Sequence, residues 1–313
     1  MDTSALEYVL PRELIAQTPT VQRDASRLLV YRRATGEIEH TTFRDLPDLL
    51  ARELLVLNDT RVVPARLRLE RETGGEVEVL LLERRNGNGV WEALARPTRK
   101  LRAGERVGPV ELQERLGGGR WLVRLDGEPG GEVPLPPYIH EPLADPERYQ
   151  TVYAREVGSA AAPTAGLHFT PELLRRLDHV RVTLHVGLDT FAPVTAERVE
   201  EHPLHGERYR VDATVWQRIE AADRVLAVGT SAVRVTETVA RSGELEGRTS
   251  LFVTPGFAFR RVDALLTNFH LPRSTPLALV MAFVGVGETL DLYRAAIAER
   301  YRFYSFGDAM LVL

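Results

Sequence analysis

Residues 63–150 constrain the fold most, because they read as a run of short strands with no helix between them. Glycine-rich turns such as 117–119 and 127–131 separate segments in which polar and apolar residues alternate. The predicted strands of this stretch are 65–70, 76–82, 90–95, 111–115 and 120–125. Short strands at regular spacing, with turn signals between them, indicate a small β-barrel.

On both sides of this stretch the chain alternates strands and helices. The predicted strands are 26–31, 38–42, 54–57, 180–186 and 225–228; the predicted helices are 11–16, 230–241, 275–283 and 290–300. The continuous apolar run 54–57 is typical of a strand buried on both faces. This alternation predicts an α/β fold, a mixed sheet flanked by helices, with a smaller inserted β-barrel domain. We place the α/β domain at 1–62 and 151–313 and the barrel at 63–150.

The composition excludes several classes of site. The chain has 313 residues and no cysteine, so disulfides, thiolate nucleophiles and cysteine-bound metals are ruled out. The sequence contains no apolar run of the length that is typical of a membrane segment. We expect a cytoplasmic, monomeric protein. The net charge is −4, which differs from that of a strongly basic nucleic-acid binder. Lys100 is the only lysine, so nearly all positive charge is arginine.

One loop of mostly small residues, 161–170 (AAPTAGLHFT), contains a histidine just before a predicted helix start. Thr170 is a good N-cap, Pro171 suits the first helical position, and Glu172 complements the helix dipole. His168 therefore lies two residues before a helix N-terminus. Small residues beside it would let a ligand approach the main chain, which favours a binding site.

Three further segments place polar groups at predicted strand ends or helix starts. They are 58–61 (NDTR), 183–191 (TLHVGLDTF, with His185) and 267–275 (TNFHLPRST, with His270). Ligand sites of α/β folds concentrate at such positions. Imidazoles suit proton transfer near neutral pH. A single histidine is more readily explained as a satisfied core or capping residue, but three in similar loops favour the functional interpretation.

Other patterns are weaker. His202 and His205, near two glutamates, suggest zinc, but a polar surface loop explains them better, and we expect no metal site. No Gly-x-Ser-x-Gly elbow indicates a hydrolase. The sequence 228–231 (VGTS) after an apolar strand fits a nucleotide phosphate or ribose, or simply a tight strand-to-helix turn.

A cluster of positive charge lies in the β-rich part, at Arg96, Arg99, Lys100 and Arg102. Together with Arg66, Arg68 and Arg71, it would form a basic face on the barrel. Small β-barrels often bind single-stranded or looped nucleic acid. The alternative is a solvated loop, because arginine is abundant throughout this chain.

Taken together, the segments resemble one family. The matching stretches are NDTRVVPARL (58–67), YQTVYA (149–154), AAPTAGLHFT (161–170), TLHVGLDTF (183–191), TNFHLPRST (267–275) and YRFYSFGDAML (301–311). In this order they are similar to the S-adenosylmethionine:tRNA ribosyltransferase-isomerases of queuosine biosynthesis. That family combines an α/β domain with a smaller β-barrel, in agreement with the pattern above.

The resemblance implies a reaction. The ribosyl part of S-adenosylmethionine would be transferred to 7-aminomethyl-7-deazaguanine at the tRNA wobble position and rearranged, giving epoxyqueuosine, adenine and methionine. The implied partners are this tRNA and S-adenosylmethionine, with no other cofactor. The sulfonium acidifies the neighbouring ribose carbon, so the reaction needs groups of near-neutral pKa in a water-poor pocket.

The resemblance also suggests roles for individual residues. His168, His185 and His270 are the candidates for base and acid, without individual assignment. Asp59 would orient a histidine or the substrate amine, and Arg61 would hold the methionine carboxylate or a phosphate. The remaining predicted cofactor contacts are Thr164, Ala165, Gly166, Gly187, Thr190 and Asn268, and the predicted tRNA contacts are Arg66, Arg96, Arg99 and Lys100.

Two other functions remain open at this point. An S-adenosylmethionine-dependent RNA methyltransferase would use the same cofactor and tRNA, but its early glycine-rich loop is missing. A non-catalytic RNA-binding module would explain the arginines, but not three loops that each carry a histidine.

Overall fold

The computed structural model describes residues 1–85, 89–187, 193–204 and 206–313. The strands in chain order are β1 (Arg27–Arg32), β2 (Glu37–Thr42), β3 (Glu53–Asn58), β4 (Thr60–Val62), β5 (Arg66–Glu70), β6 (Glu76–Arg84), β7 (Val90–Arg96), β8 (Arg106–Val107), β9 (Val110–Gly117), β10 (Arg120–Leu125), β11 (Glu156–Ser159), β12 (His179–Leu184), β13 (Glu207–Arg210), β14 (Arg224–Val228), β15 (Glu246–Thr249), β16 (Ala264–Asn268) and β17 (Ala309–Val312). The α-helices are α1 (Leu46–Leu49), α2 (Pro171–Leu174), α3 (Ala213–Ala221), α4 (Thr230–Ser242), α5 (Thr275–Val284) and α6 (Val286–Ala298).

A nine-stranded mixed sheet forms the larger part, in the order β15-β13-β12-β3-β14-β16-β17-β1-β2. The four strands β12, β3, β14 and β16 run parallel, so their carboxyl ends lie at one edge. β17 lies between β16 and β1, antiparallel to the first and parallel to the second. The sheet therefore joins segments from both ends of the chain.

Alternation along β3 explains how both faces of this sheet are covered. Leu54 and Val56 pack with residues of α3 to α6 in one buried cluster. Leu55 and Leu57 point the other way and pack with residues of α1 and α2 in a second cluster. A strand with a continuous apolar run, here 54–57, belongs between two helical layers, as its sequence predicts.

The smaller part is a six-stranded antiparallel sheet in the order β5-β6-β7-β10-β9-β8, curved into a nearly closed barrel. Its core contains Trp91 and Trp121 among aliphatic side chains. The edge strands approach each other, since a Cβ at Gly108 would lie 3.6 Å from Leu69 Cδ2. Together the two sheets confirm the predicted α/β class with a smaller β-barrel.

All strands of the barrel come from residues 66–125, and those of the nine-stranded sheet come from residues 27–58 and 179–312. A two-stranded parallel ribbon of β4 and β11 lies between them along the chain. The predicted domain boundaries at 62 and 150 fall near this ribbon and stay a prediction.

Several predicted elements differ from the structure. The segment predicted as a helix over 11–16 is a single 3-10 turn, Arg12–Leu14. β12 ends at Leu184, two residues earlier than expected, and α6 begins at Val286 rather than at 290. Gly285, at φ +118°, lets the chain turn between α5 and α6, which is why one helix ends and the next begins there.

Among the described residues, no single helix has the length and apolarity needed to cross a membrane. By length and composition, α5 and α6 reach that limit only as a pair, and they are bent by 111°.

Candidate active site

A cleft lies over the carboxyl ends of the parallel strands, where ligands bind in open α/β sheets. One wall is the small-residue segment 161–165, and the other walls are the loops that follow β14 and β16. Aromatic side chains of Tyr138 and Tyr304 complete it from the loops before β11 and β17. The predicted contacts Thr164, Ala165, Asn268 and His270 line this cleft.

The loop after β14 is a cleft wall that the sequence indicated only weakly. Gly229 has φ +84° and precedes α4, and a Cβ there would lie 3.4 Å from Ala165 Cβ. The first turn of α4 has no side-chain cap from the described residues, so its backbone N–H groups are open to a ligand. Thr230 and Ser231 of this turn line the cleft.

Buried Asn58 joins this wall to the neighbouring strands. Its Nδ2 donates to the Leu184 carbonyl oxygen at 3.0 Å and to Ser231 Oγ at 3.1 Å. Its Oδ1 accepts from the Leu184 N–H at 3.0 Å. The amide therefore aligns the ends of β3 and β12 with the start of α4.

His270 is the histidine that lines the cleft, among the residues that the structure describes. Its Nε2 lies 2.7 Å from Thr267 Oγ1, while its backbone N–H donates to Tyr293 Oη at 2.9 Å and its carbonyl accepts from Tyr8 Oη. Burial lowers the pKa of the imidazole to about 3, so the ring is neutral at pH 7.

His168 lies behind the cleft wall rather than in it. Only 4% of the residue is exposed, and its ring stacks on Phe43 with centroids 4.9 Å apart. Nδ1 is 2.7 Å from Ser26 Oγ, and Nε2 is 3.2 Å from Nδ2 of the cleft residue Asn268. Burial, with smaller contributions from Arg302 and Arg23, lowers its pKa to about 3.

His185 and Asp59 lie apart from the residues that line the cleft. His185 contacts Thr60, with Nδ1 2.9 Å from Oγ1, and its pKa is lowered by burial and then by Arg208. Asp59 accepts from Thr183 Oγ1 at 2.7 Å and pairs with Arg155 at 3.1 Å. Burial raises the pKa of Asp59 despite these contacts. In this structure Asp59 contacts a hydroxyl and a guanidinium group, and its role in orienting a histidine or the substrate amine stays a prediction.

The other predicted contacts also lie outside the cleft lining or outside the described residues. Arg61 pairs with Glu147 and does not line the cleft. Gly166 packs behind the wall, where a Cβ would meet Tyr153 Oη at 2.0 Å. Gly187 donates its N–H to Oε1 of the cleft residue Glu207 at 2.8 Å. Thr190 lies outside the described residues.

Sequence reasoning missed an ion pair in the cleft. Glu207 pairs with Arg234, and both side chains are mostly buried. Arg234 also donates through Nε to the Leu251 carbonyl oxygen at 3.0 Å. Arg234 lies one helical turn after Thr230, on the helix that follows VGTS. This spacing is the sequence signal that could have indicated Arg234 as a cleft residue. The pairing with Glu207 had no local signal.

Three of the predicted tRNA contacts form an exposed basic cluster on the barrel. Arg96, Arg99 and Lys100 are exposed and have no acidic partner among the described residues. Arg99 and Lys100 also line a shallow cavity with Arg71 and Arg102. Arg66 differs, because it donates to the Leu135 carbonyl oxygen and pairs with Glu78.

Within the described ranges, no group of three or more His, Asp or Glu side chains is arranged to hold a metal ion. His205, one of the two histidines considered for zinc, lies outside those ranges.

Comparison with known proteins finds the family that the sequence motifs resemble, and the similarity spans nearly the entire chain. A family model described as "Queuosine biosynthesis protein" matches residues 3–312. A relative from Rubrobacter xylanophilus named S-adenosylmethionine:tRNA ribosyltransferase-isomerase is 54% identical, covering 100% of this chain and 98% of its own. One of the same name from Desulfitobacterium hafniense is 50% identical over the full length of both chains.

A solved structure is also similar. The crystal structure of S-adenosylmethionine tRNA ribosyltransferase from Thermotoga maritima is 38% identical, with a TM-score of 0.58, covering 99% of this chain and 100% of that one. Because a family model and relatives near 50% identity both span the chain, this protein belongs to the queuosine biosynthesis family of enzymes, whose members here are named S-adenosylmethionine:tRNA ribosyltransferase-isomerase.

Proposed function

We propose that this enzyme transfers the ribosyl moiety of S-adenosylmethionine to 7-aminomethyl-7-deazaguanine at the tRNA wobble position and isomerises it. The products are epoxyqueuosine, adenine and methionine. One observation carries the proposal: a cleft at the carboxyl edge of the sheet combines small-residue walls, one acidic side chain and one buried imidazole.

The cleft complements the parts of S-adenosylmethionine. Its small-residue wall at 161–165 leaves room for the flat adenine. Glu207 supplies negative charge for the sulfonium, and Arg234 with the open N-terminus of α4 suits the methionine carboxylate. No metal and no further cofactor is part of the proposal.

His270 is the group we assign to proton transfer. In the reaction a base takes a proton from the ribose carbon beside the sulfonium, and adenine departs with a proton. The neutral amine of the modified base then attacks the opened sugar and releases one proton as the new C–N bond forms. Methionine leaves as the epoxide closes. Burial keeps the His270 imidazole neutral, so it has a lone pair that can accept a proton, but its pKa of about 3 lies below the near-neutral range expected for this reaction and makes it a weak base. The same low pKa makes its conjugate acid a strong donor, which readily returns the proton to the departing adenine.

The exposed cluster of Arg96, Arg99 and Lys100 is proposed to hold tRNA phosphates. The proposal takes the enzyme to act in the cytoplasm, where its tRNA substrate is found, and to act as a monomer.

The test is an incubation with S-adenosylmethionine and tRNA that carries 7-aminomethyl-7-deazaguanine. We expect adenine and methionine in equal amounts. S-adenosylhomocysteine would instead indicate a methyltransferase, and unconsumed S-adenosylmethionine would indicate an RNA-binding module. His270→Ala should lower turnover by about 100-fold or more, as for loss of a general base. Exposed His140 gives the matched control, and His140→Ala should leave turnover unchanged.

A further inference from the structure

Asn268, the last residue of β16, has an unused hydrogen-bond acceptor at the cleft. The residue lines the cleft and is 2% exposed. Its Oδ1 is buried and has no partner in the part of the chain that the structure describes. A buried amide oxygen without a partner lowers stability, so such atoms usually have a partner in the functional state.

The orientation of this amide is fixed from the other side. Nδ2 donates to the Tyr304 carbonyl oxygen at 3.1 Å and approaches the Asp308 carbonyl oxygen at 3.4 Å. Both are acceptors only, so the NH₂ group, and not Oδ1, must face them. The third neighbour of Nδ2 is His168 Nε2 at 3.2 Å.

His168 completes a chain of hydrogen bonds behind Asn268. Because Nδ2 donates, Nε2 of the neutral ring must accept, and Nδ1 therefore carries the proton. Nδ1–H then donates to Ser26 Oγ at 2.7 Å, whose hydroxyl is 3.4 Å from the Arg23 carbonyl oxygen. Each hydrogen bond in this series from Ser26 to Asn268 therefore has one donor and one acceptor. The Asn268 Oδ1 atom, at the cleft end of the series, remains without a partner in the described part of the chain.

We propose that the Asn268 amide oxygen accepts a hydrogen bond from the adenosine part of S-adenosylmethionine, and that His168 is a positioning residue that holds this oxygen toward the ligand. The inference rests on the proposed function for the identity of the ligand. The two possible donors are the purine amine and a ribose hydroxyl. His168 transfers no proton in this arrangement, because both ring nitrogens are occupied within the protein.

Two substitutions of His168 separate positioning from proton transfer. The carboxamide of glutamine reaches the place of Nε2, so His168→Gln keeps an acceptor for Asn268. Asparagine reaches only the place of Nδ1, so His168→Asn keeps the contact with Ser26 and loses Asn268. Calorimetric binding of S-adenosylmethionine and the KM and kcat of adenine release are measured for both variants and for Asn268→Leu.

We expect His168→Gln to match the wild-type enzyme within about twofold, while His168→Asn and Asn268→Leu weaken S-adenosylmethionine binding about threefold to tenfold, the effect of one hydrogen bond. With the inosine, 2′-deoxy and 3′-deoxy analogues of S-adenosylmethionine, the Asn268→Leu penalty should disappear for the one that lacks the contacting group. A penalty that persists with all three analogues overturns the assignment to adenosine. Loss of turnover in both His168 variants, with wild-type binding, overturns the positioning role.

A measurement without ligand keeps this inference separate from the proposed function. Nitrogen-15 NMR of histidine-labelled enzyme should show His168 protonated at Nδ1 and not at Nε2. The opposite tautomer overturns the hydrogen-bond chain. Failure of the wild-type enzyme to bind S-adenosylmethionine would overturn the proposed function and the ligand assignment together, while the tautomer would still report on the chain itself.

Discussion

Glu207 is the acidic side chain of the cleft within the described residues, and it faces Arg234 there. Replacing it by glutamine keeps the acceptor for the Gly187 N–H and removes the charge. We expect Glu207→Gln to weaken binding of S-adenosylmethionine, a sulfonium cation, about tenfold, since a charge pair at partly buried sites is worth about 1–2 kcal/mol after screening.

The neutral thioether S-adenosylhomocysteine is the comparison ligand for this variant, and calorimetry is the measurement. Its affinity should change much less than that of S-adenosylmethionine. An equal loss for both ligands would show that Glu207 acts only by holding Arg234.

Two imidazoles with lowered pKa values make stability depend on pH. His168 and His270 have folded-state pKa values of about 3, against 6.5 for an ordinary histidine. Between these values the unfolded chain binds protons that the folded chain does not, so the free energy of unfolding falls as the pH drops. Above 6.5 their contribution is complete. Between pH 6.5 and the folded-state pKa, each histidine lowers the free energy of unfolding by up to about 1.4 kcal/mol for every unit that the pH drops.

His168→Gln removes one of these two groups. Urea denaturation between about pH 6 and pH 4 should therefore show a slope of unfolding free energy against pH that is shallower by up to about 1.4 kcal/mol per unit. His140→Gln, at an exposed position, is the control. Identical slopes for His168→Gln and the control would contradict a buried neutral His168.

Alternation along a strand explains why the sequence grouped three histidines that the structure separates. Leu184 and Val186 line the cleft, so His185 between them points away from it. A loop pattern shows that a residue lies at a strand end, but not on which side of the strand. His168 and His270 are both loop residues, and only tertiary packing decides that one lines the cleft while the other is covered by Asn268.

At the scale of elements, α4 couples backbone geometry to the cleft. Gly229 has φ +84° and closely approaches Ala165. Gly243 at the other end of α4 has φ +74°, and a Cβ there would meet no atom of the described residues within 4 Å. Alanine at either position should lower the free energy of unfolding by about 1–2 kcal/mol, because φ is positive.

Only Gly229→Ala should also change ligand binding, since it pushes the wall at Ala165. We expect its affinity for S-adenosylmethionine to drop at least threefold, with that of Gly243→Ala unchanged, both measured by calorimetry. The same loss in both variants would mean that general destabilisation, and not the wall, is responsible.

Local sequence signals predicted the elements whose ends are marked by a capping residue or a helix-terminating glycine. Gly243 ends α4 in the left-handed conformation, and the Thr170 side chain caps α2, accepting from the Leu173 N–H at 3.1 Å. β16 and β17 were not predicted, because short apolar runs near turns do not distinguish strand from helix. β17 needs β1 as a partner, which is nearly the whole chain away.

At the scale of the whole molecule, the acidic net charge conceals a local basic cluster on the barrel. Replacing Arg96, Arg99 and Lys100 by glutamine should weaken tRNA binding and reduce the slope of log affinity against log salt by roughly 0.7 to 0.9 for each phosphate that the protein no longer neutralises. Fluorescence titrations at several salt concentrations measure both quantities.

A matched triple variant controls for net charge. Arg84, Arg106 and Arg124 lie on the same barrel, each paired with an acidic residue. Their replacement by glutamine removes the same formal charge and should leave the salt slope nearly unchanged. Equal slopes in both triple variants would contradict a phosphate-binding role for the basic cluster.

The place of β17 between β16 and β1 has a consequence for synthesis. Until this segment has left the ribosome, β16 and β1 each present an unpaired edge that is rich in apolar residues. Unpaired strand edges recruit other chains, and incomplete folding intermediates are prone to aggregate. The cleft, which needs Tyr304 and Ser305 just before β17, is also unfinished at that stage. A nascent chain of this protein is therefore exposed to aggregation shortly before it first becomes able to bind a ligand.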